Sequence, residues 1–403
     1  MPKTKVTNPF RPGAGHQPPY LAGRKIETDE FSRLLRQEVV LENLVLTGLR
    51  GVGKTVLLES FKPLALKQGW LWVGTDLSES VSLSEERLAI RLMSDLGAAA
   101  SHISVGKPSL KLVGFHSRRV EARLDFPLLT GIFGRTPGLI ADKLRAVLEF
   151  VWSCLVEHNV PGLVFAYDEA QNMSDHAERN EFPLSLMLDA FQSIQKRDVR
   201  FLLALAGLPN LFPQLVEART YSERMFRVLV IDRLSPVESR QAILRPIDDA
   251  RCPVKFSEQG ISTISEASGG YPYLIQFICR EAYDSYLAQY EASLEPQVYI
   301  NDIVTKLDSD FYAGRWARVT DRQRELLLAA AEAEDENHEF TLQQVSAASK
   351  RVLKKGFSTS QISQMFNRLG EAGLIYKNRH GRHAFAVPLL GAFVRRHRNE
   401  IAA

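Results

Sequence analysis

The composition of the chain is that of a globular protein with enough apolar residues for a core. Its 403 residues are 45% hydrophobic and 24% charged, which is ordinary for a globular protein, and the net charge of +3 says little about an anionic partner. The sequence contains no run of 18 uncharged apolar residues, so we predict no membrane partner. Three widely separated cysteines (Cys154, Cys252 and Cys279) argue against a disulfide framework or a zinc site and predict a reducing, cytoplasmic location.

The first 20 residues predict an extended arm rather than a helix. They contain five prolines, among them Pro9, Pro18 and Pro19, and a proline disfavours helical backbone at the residue before it. Helical sequence begins after Arg24.

A short apolar run at residues 44–46 leads into a glycine-rich loop that ends in Lys54 and Thr55. The loop fits G-x-x-x-x-G-K-[ST] in its required setting, with a predicted strand before it and a predicted helix after it. Glycines let the backbone curl so that its N–H groups approach phosphate oxygens, and the new helix adds the positive end of its dipole. The motif predicts a nucleotide-phosphate site, with the arm either along the nucleotide base or acting only as a strap on the core.

The residue types assign roles within this loop. Lys54 can reach the β- and γ-phosphates of ATP, and the Thr55 hydroxyl can ligate Mg²⁺. The predicted nucleotide-binding residues are Gly48, Leu49, Arg50, Gly51, Val52, Gly53, Lys54, Thr55 and Val56.

Strands and helices alternate over residues 70–157, apart from an insertion at about 101–137. Residues 70–75 predict a strand, 85–96 a helix and 137–157 a long helix with one apolar face. Residues 109–126 alternate apolar and polar side chains, which predicts a β-hairpin. The hairpin is basic, so it can contact nucleic acid or a partner, or it can simply be solvated. The basic residues are Lys107, Lys111, Arg118, Arg119 and Arg123.

The apolar run at residues 162–167 ends in two carboxylates, Asp168 and Glu169. Such a run is typical of a strand buried on both faces, and open α/β sheets bind ligands at the carboxyl ends of their strands. We assign Asp168 to Mg²⁺, through water and together with Thr55, and Glu169 to orienting and deprotonating the attacking water. An Asp-Glu pair alone is commonly just a polar strand end, but after a phosphate loop it predicts ATP hydrolysis.

The predicted strand at residues 201–206 is followed by Gly207-Leu208-Pro209-Asn210. The Asn210 amide can probe the γ-phosphate or fix the attacking water. Alternatively, Asn210 only caps the helix that follows.

Three arginines, Arg219, Arg224 and Arg227, precede the next predicted strand at 228–231. An arginine here can reach a nucleotide in a neighbouring subunit and stabilise transition-state charge. Alternatively, all three are surface side chains paired with Glu217 and Glu223. We predict that Arg224 is the arginine finger, which implies a homo-oligomer.

A helical segment begins at the capping box Ser235-Pro236-Val237-Glu238 and continues to about residue 310. Within it, Gly269 and Gly270 predict the end of one helix and Pro272 the start of the next. A helical lid over the nucleotide can place this turn against the base and ribose.

The last 88 residues, from Trp316, change character again. Residues 322–333, 342–348 and 358–371 predict three helices, and 374–377 and 382–387 a hairpin, which together describe a winged helix. Basic residues predominate between 350 and 400, where only Glu371 and Glu400 oppose them. Ser358, Thr359, Gln361, Gln364, Asn367 and Arg368 are predicted to enter a major groove, and Lys377, Arg379 and Arg382 to contact phosphates. Alternatively, the domain is a protein-interaction module with a solvated basic face.

In combination, these motifs resemble the AAA+ and STAND-type P-loop ATPases of the archaeal-ATPase kind, which are similar to origin-recognition initiators. The resemblance rests on N-P-F-x-P-G at 8–13, Gly23-Arg24, the two nucleotide motifs, the 207–210 loop and Gly270-Tyr271-Pro272. It implies an α/β fold, namely a P-loop αβα sandwich with a five-stranded parallel sheet, a helical lid and a C-terminal winged helix. It also implies that Asn210 senses the phosphate and that Pro272 contacts the nucleotide. Initiators usually carry a lid arginine where this chain has Tyr273, and this departure favours a STAND-like switch over a fast motor.

We therefore predict an ATPase core at residues 1–232, a lid at 233–315 and a winged helix at 316–403. The predicted protein is a P-loop ATPase that binds ATP or ADP with Mg²⁺, hydrolyses ATP slowly and engages double-stranded DNA. Two alternatives stay open. One is a STAND-like regulatory scaffold whose ATP-dependent assembly recruits a protein partner, and the other is a nucleotide-binding protein without turnover.

Overall fold

The computed structural model describes residues 7–13, 15–105, 122–252, 254–291, 297–336, 338–379 and 381–401. Within these ranges, no helix combines the length and the apolarity needed to cross a membrane. The chain divides into two compact units. The sheet unit comprises Arg24–Thr47 and Leu57–Val230, and the lid unit comprises Met1–Gly23, Gly48–Val56 and Ile231–Ala403.

The sheet unit contains seven strands and eight α-helices among its described residues, counting the helix that begins in the phosphate loop. The strands are β1 (Asn43–Thr47), β2 (Leu71–Asp76), β3 (Ser104–Val105), β4 (Ala122–Arg123), β5 (Leu163–Asp168), β6 (Phe201–Gly207) and β7 (Phe226–Val230). The helices are α1 (Lys25–Leu35), α2 (Lys54–Lys67), α3 (Glu85–Ala100), α4 (Phe126–Arg135), α5 (Ile140–Glu157), α6 (Pro183–Gln195), α7 (Leu211–Ala218) and α8 (Ser222–Met225).

Five of these strands form one parallel sheet in the order β2-β5-β6-β1-β7. The register places Asp76 beside Asp168, and Thr47 beside both Gly207 and Val230. The carboxyl ends of all five strands therefore meet at one edge. This sheet confirms the predicted α/β class and the predicted number of strands.

Helices cover both faces of the sheet, and its central strands are accordingly buried at every position. On one face, Phe31 of α1 stacks on Phe61 of α2 at 4.4 Å between ring centroids. On the other, Phe165 of β5 packs edge-on to Phe191 of α6 at 5.0 Å. Strands β1, β5 and β6 are buried along their whole length, as expected of strands between two helical layers.

Most predicted elements appear with shifted ends, but the predicted hairpin at 109–126 falls largely on residues 106–121, which lie outside the described residues. On either side of residues 106–121, β3 and β4 pair antiparallel. The inclusion of Phe126 in that hairpin is wrong. Phe126 opens α4, because the Asp125 side chain accepts a hydrogen bond from the Leu128 N–H at 3.1 Å and caps the helix.

The lid unit contains two groups of elements. The first, which we call the lid, consists of α9 (Pro236–Asp249), α10 (Glu258–Ser268), α11 (Pro272–Glu291), α12 (Ile300–Leu307), a π-helical turn (Asp308–Tyr312) and α13 (Ala313–Trp316), with the segments that join them. The second, which we call the C-terminal domain, is α14 (Asp321–Ala333), β8 (Glu339–Phe340), α15 (Leu342–Val352), α16 (Thr359–Glu371), β9 (Ile375–Arg379), β10 (Arg382–Phe385), α17 (Leu390–Arg396) and α18 (Arg398–Ile401).

The N-terminal arm is extended, as predicted, and it lies on α11. Phe10 is fully buried, and its ring centroid is 6.1 Å from that of Tyr283. The Asn8 side chain donates to the Arg280 carbonyl and to Asp284, both at 2.8 Å. The arm therefore acts as a strap on the lid helices.

The C-terminal domain has the three helices and the hairpin that the sequence predicts. Each of α14, α15 and α16 begins with a capping box, in which a Ser or Thr and a Gln three residues later exchange hydrogen bonds with the backbone. Strand β8, which the sequence analysis did not predict, completes an antiparallel sheet in the order β8-β10-β9.

Candidate functional site

The phosphate loop, residues 48–55, depends on glycine for two different reasons. Gly51 (φ 76°) and Gly53 (φ 90°) have left-handed backbone, which other residues adopt only with strain. At Gly48 the reason is space, because a Cβ there would lie 2.2 Å from the Ile231 carbonyl oxygen. The backbone of the loop is therefore held in one tightly curved conformation.

The Lys54 side chain lies within this curl. Its Nζ donates to the carbonyl oxygens of Gly48 (3.0 Å) and Leu49 (2.9 Å). Val52 is fully buried and anchors the loop, whereas a Cβ added at Gly53 would meet no atom within 4 Å. The loop thus combines a cation with open space above a glycine, and a phosphate group fits such a cradle.

The lid turn that the sequence singled out reaches this loop. Gly269 (φ 56°) ends α10 in left-handed backbone, and Pro272 is the first residue of α11. The backbone N–H of the next residue, Tyr273, donates to the Gly51 carbonyl at 3.3 Å. Pro272 and the phosphate loop are therefore neighbours, although their contact with a nucleotide stays a prediction.

The C-terminal domain also contacts the phosphate loop. A Cβ on Gly51 would lie 3.2 Å from Pro388 Cγ, and a Cβ on Gly373 would lie 3.1 Å from Nη2 of Arg50. The Tyr312 hydroxyl donates to the Pro388 carbonyl at 2.7 Å and ties this turn to the lid. The loop is thus bordered by two turns of the C-terminal domain, which the sequence analysis did not place there.

The surroundings of the loop are positively charged. Arg315 lies over the Phe311 ring at 4.8 Å, and that ring stacks on Tyr273 at 5.2 Å. Burial lowers the pKa of Arg315, and the nearby Arg50 charge lowers it further. No carboxylate of the described residues forms an ion pair with either arginine, so an anion here would relieve the repulsion between them.

The two predicted catalytic carboxylates follow each other at the carboxyl end of β5, in the sheet unit. Asp168 is buried, whereas Glu169 is exposed. Glu169 has left-handed backbone (φ 52°, ψ 33°), an uncommon conformation for a residue other than glycine. Its N–H donates to Asp168 Oδ1 at 2.8 Å. The strand ends here in a sharp turn that separates a sheltered carboxylate from a solvent-accessible one.

Gln171 links Glu169 to the loop after β6, and the sequence analysis missed it. Its Nε2 donates to a Glu169 carboxylate oxygen, and its Oε1 accepts from the Leu208 N–H at 3.0 Å. The Leu208 carbonyl in turn accepts a hydrogen bond of 3.0 Å from the hydroxyl of Thr47, which is the last residue of β1. The only sequence signal was a glutamine two positions after the Asp-Glu pair.

Asn210 lies at the N-cap position of α7, but its side chain makes no capping hydrogen bond. Its backbone is already helical (φ −76°, ψ −10°), so it lacks the extended geometry of a capping residue. The alternative that Asn210 serves only as a cap is therefore wrong, and its exposed amide is available to a ligand.

The three arginines before β7 differ in their contacts. Arg219 pairs with Asp189 through two hydrogen bonds, of 2.9 and 2.7 Å, and Arg227 pairs with Glu30 at 3.4 Å. Burial alone would raise the pKa of Asp189, but hydrogen bonds from Arg219 and Tyr221 outweigh it and lower the pKa.

Arg224 is exposed and makes no ion pair with any residue in the described ranges. The predicted pairings of these arginines with Glu217 and Glu223 are wrong, and Arg224 is the one available to a neighbouring molecule.

Comparison with solved structures gives the class of fold. The Walker-type ATPase of Pyrococcus abyssi matches with a TM-score of 0.58 and 15% identity, over 93% of this chain and 96% of that one. The ORC2 protein of Aeropyrum pernix, in its ADP form, matches with a TM-score of 0.54 and 15% identity, over 97% and 98% of the two chains. The chain thus has the P-loop fold of archaeal ATPases and initiators, which confirms the resemblance at the level of the fold.

Sequence comparisons add less. Residues 309–394 match a family described as a domain of unknown function, DUF8462. No curated protein matches the chain.

Proposed function

We propose that this protein is an ATP-binding switch that hydrolyses ATP slowly and engages double-stranded DNA through its C-terminal domain. The observation that carries the proposal is the geometry of the phosphate loop. Two left-handed glycines and an inward-facing Lys54 make a cradle whose surroundings are cationic. The Aeropyrum pernix ORC2 protein, which has this fold, binds ADP, and that observation supports a nucleotide as the ligand here.

The catalytic assignment follows from the residue types. Lys54 would bind the β- and γ-phosphates, and Glu169 would take a proton from the attacking water. The oxygen of that water would bond to the γ-phosphorus while the bond from the γ-phosphorus to the β–γ bridging oxygen breaks. Asn210, with its exposed amide, would contact the γ-phosphate or that water. Arg224 would act on the nucleotide of a neighbouring copy.

A magnesium ion fits the donor set of the proposed site. The Thr55 hydroxyl and the Asp168 carboxylate are the hard oxygen ligands that Mg²⁺ takes alongside water and phosphate oxygens. When bound, the ion neutralises charge that develops on the phosphate oxygens.

The DNA half of the proposal rests on α16. Its apolar side chains, Ile362, Phe366 and Leu369, are buried in the domain. The opposite face is polar and exposed, and it consists of Ser358, Thr359, Gln361, Gln364, Asn367 and Arg368. A helix with one anchored face and one exposed face of amides and a guanidinium suits insertion into a major groove.

The basic charge of this domain is smaller than the count over residues 350–400 indicated. Arg382 pairs with Asp335 at 2.8 Å, Arg395 with Glu334 at 3.1 Å, and Arg396 with Asp308. These acids precede residue 350, so the sequence window missed them. Five exposed basic residues lie on α16 or on the segments before and after it, and they have no ion pair to a described residue: Lys350, Arg351, Lys355, Arg368 and Lys377.

A salt titration of binding to a fluorescent DNA duplex tests the DNA half. Replacing Arg368 and Lys377 by Ala should weaken binding, and the loss of the Lys377 phosphate contact should reduce the slope of log K against log salt by about 1, since each phosphate contact contributes about 0.9. The matched control replaces Arg382 and Arg396, which are ion-paired. An equal effect in both variants, or none in the first, would remove α16 and β9 from the proposed interface.

A nucleotide titration tests the ATP half. Lys54→Ala should abolish measurable ATP binding by calorimetry, whereas Lys62→Ala, an exposed lysine on the same helix α2, should leave it unchanged. Binding that survives Lys54→Ala would refute the phosphate-loop assignment.

A second candidate function is favoured by the contact between Pro388 and Gly51. In this alternative the protein is a regulatory scaffold in which the C-terminal domain closes on the phosphate loop, and ATP opens it for assembly or partner binding. Its signature would be a nucleotide-dependent particle size in light scattering, with no retention of duplex DNA.

A further inference from the structure

We propose that Gln171 is a positioning residue that holds the Glu169 carboxylate at a fixed position relative to the 207–210 loop. The inference rests on the proposed function, because it assumes that Glu169 activates water. It concerns a residue that carries no role in the assignment above.

The first observation is that one side-chain amide serves two partners. Nε2 of Gln171 donates to Glu169, and Oε1 accepts from the Leu208 N–H at 3.0 Å. A hydrogen bond to an ionised carboxylate is stronger and more directional than a neutral one, so the amide fixes one orientation of the Glu169 side chain. An exposed glutamate otherwise samples several rotamers.

The second observation is that the backbone of the 207–210 loop is held from both sides. Leu208 donates its N–H to Gln171, and its carbonyl accepts from Thr47 Oγ1 at 3.0 Å. Thr47 is buried and directly precedes Gly48, the first residue of the phosphate loop. A hydrogen-bonded path therefore runs from the end of β1, through the loop after β6, to the carboxylate after β5.

The third observation is that the fold keeps space for this amide. A Cβ on Gly207 would lie 2.7 Å from Gln171 Oε1, so a larger residue there would displace the amide. The left-handed backbone of Glu169 turns the chain into the short 3-10 turn Ala170–Asn172, which brings Gln171 back toward Glu169. A ligand that displaces Leu208 would therefore also move the Glu169 carboxylate, because the Gln171 side chain is hydrogen-bonded to both residues.

Two substitutions separate positioning of Glu169 from simple support of the loop. Gln171→Met keeps the length of the side chain but loses both hydrogen bonds. Gln171→Glu keeps an acceptor for the Leu208 N–H but loses the donor to Glu169 and places a like charge beside it. Asn172→Ala is the matched control, since Asn172 belongs to the same turn but donates to the Leu77 carbonyl at 2.9 Å.

The experiment measures steady-state phosphate release and thermal melting of the full-length chain. We expect both Gln171 variants to lower kcat about tenfold or more with less than a twofold change in KM for ATP, and the Asn172→Ala variant to keep kcat within twofold. In a Glu169→Gln background, Gln171→Met should lower the residual rate no further. A Gln171→Glu variant with wild-type kcat would show that the amide only supports the loop and would overturn the proposal.

Failure of the proposal is distinguishable from failure of the proposed function. If wild-type and Glu169→Gln proteins release phosphate equally, the proposed hydrolysis fails and the proposal fails with it. If release depends on Glu169 but not on Gln171, only the proposal fails. A Gln171 variant whose melting temperature falls sharply is set aside in favour of the other one, so a folding defect does not decide the result.

Discussion

Pro388 of the C-terminal domain lies against Gly51 of the phosphate loop, so close that a methyl group on Gly51 would come within 3.2 Å of Pro388 Cγ. The same loop residue accepts a hydrogen bond from Tyr273 of the lid. One glycine of the predicted phosphate cradle is therefore in contact with both the lid and the C-terminal domain. Any movement of the loop that admits a nucleotide is expected to displace the lid and the C-terminal domain as well.

Weakening the hold on Pro388 should ease nucleotide entry. Tyr312→Phe removes the hydroxyl that donates to the Pro388 carbonyl but keeps the ring that stacks on Phe393 at 4.7 Å. We expect the rate of binding of a fluorescent ATP analogue to rise about threefold in stopped-flow measurements, because the closed form is destabilised. The control is Tyr283→Phe, whose hydroxyl donates to Val254 in the lid. Equal rates in the wild type and Tyr312→Phe would show that the turn does not gate the loop.

Arg224 should act between subunits. Arg224→Ala is expected to lower phosphate release at least 100-fold without changing ATP affinity, since an arginine finger stabilises only the transition state. Arg227→Ala, which removes a side chain paired with Glu30, should have little effect.

Mixing two inactive variants gives a stricter test of this finger. Arg224→Ala supplies an intact site and Glu169→Gln supplies an intact Arg224, so a mixture should recover part of the activity if the finger acts across an interface. A mixture as inactive as its components would mean that Arg224 does not serve a neighbour.

Gly48 should be the least replaceable glycine of the phosphate loop for stability. Gly48→Ala forces a methyl group to within 2.2 Å of the Ile231 carbonyl, and overpacking of this kind costs about 1–3 kcal/mol. We expect the thermal midpoint to fall by several degrees. Gly131→Ala in α4, where a Cβ meets no atom within 4 Å, should leave the midpoint unchanged or raise it slightly. A harmless Gly48→Ala would contradict the described loop geometry.

The Asp189–Arg219 pair should contribute stability that depends on pH. The pKa of Asp189 is lowered in the folded chain, so its contribution is present above the unfolded value, near 3.9, and is lost as pH falls through the folded value. The melting temperature of Asp189→Asn should therefore lie below that of the wild type at pH 6, and the difference should shrink as the pH approaches 3. A difference that stays constant over this range would show that the carboxylate charge is not what stabilises the pair.

The sequence could predict those features that depend on local pattern. The continuous apolar runs at β5 and β6 identified buried parallel strands, and the spacing of glycines before Lys54 identified the phosphate loop. The capping box at Ser235–Glu238 marked where α9 begins. In each case the residues that cause the structure are adjacent in the chain.

The features that the sequence could not predict depend on partners distant in the chain. The sequence counted Arg382 and Arg396 among the unopposed basic residues of 350–400. Their ion-pair partners, Asp335 and Asp308, lie 47 and 88 positions away in the chain. Gln171 was not singled out because its hydrogen bond to Leu208 joins residues 37 positions apart in the chain. Asn210 fitted a capping pattern, but its helical backbone rules that role out.

Phosphate release by the purified protein, with and without double-stranded DNA, tests the central claim most directly, with Glu169→Gln as the matched control. We predict slow release that Glu169→Gln abolishes and that DNA changes severalfold, since one nucleotide state would then govern both the phosphate loop and the C-terminal domain. Release that is the same in both proteins would contradict the ATPase assignment. Release that depends on Glu169 but is indifferent to DNA would contradict the DNA switch and favour a protein partner.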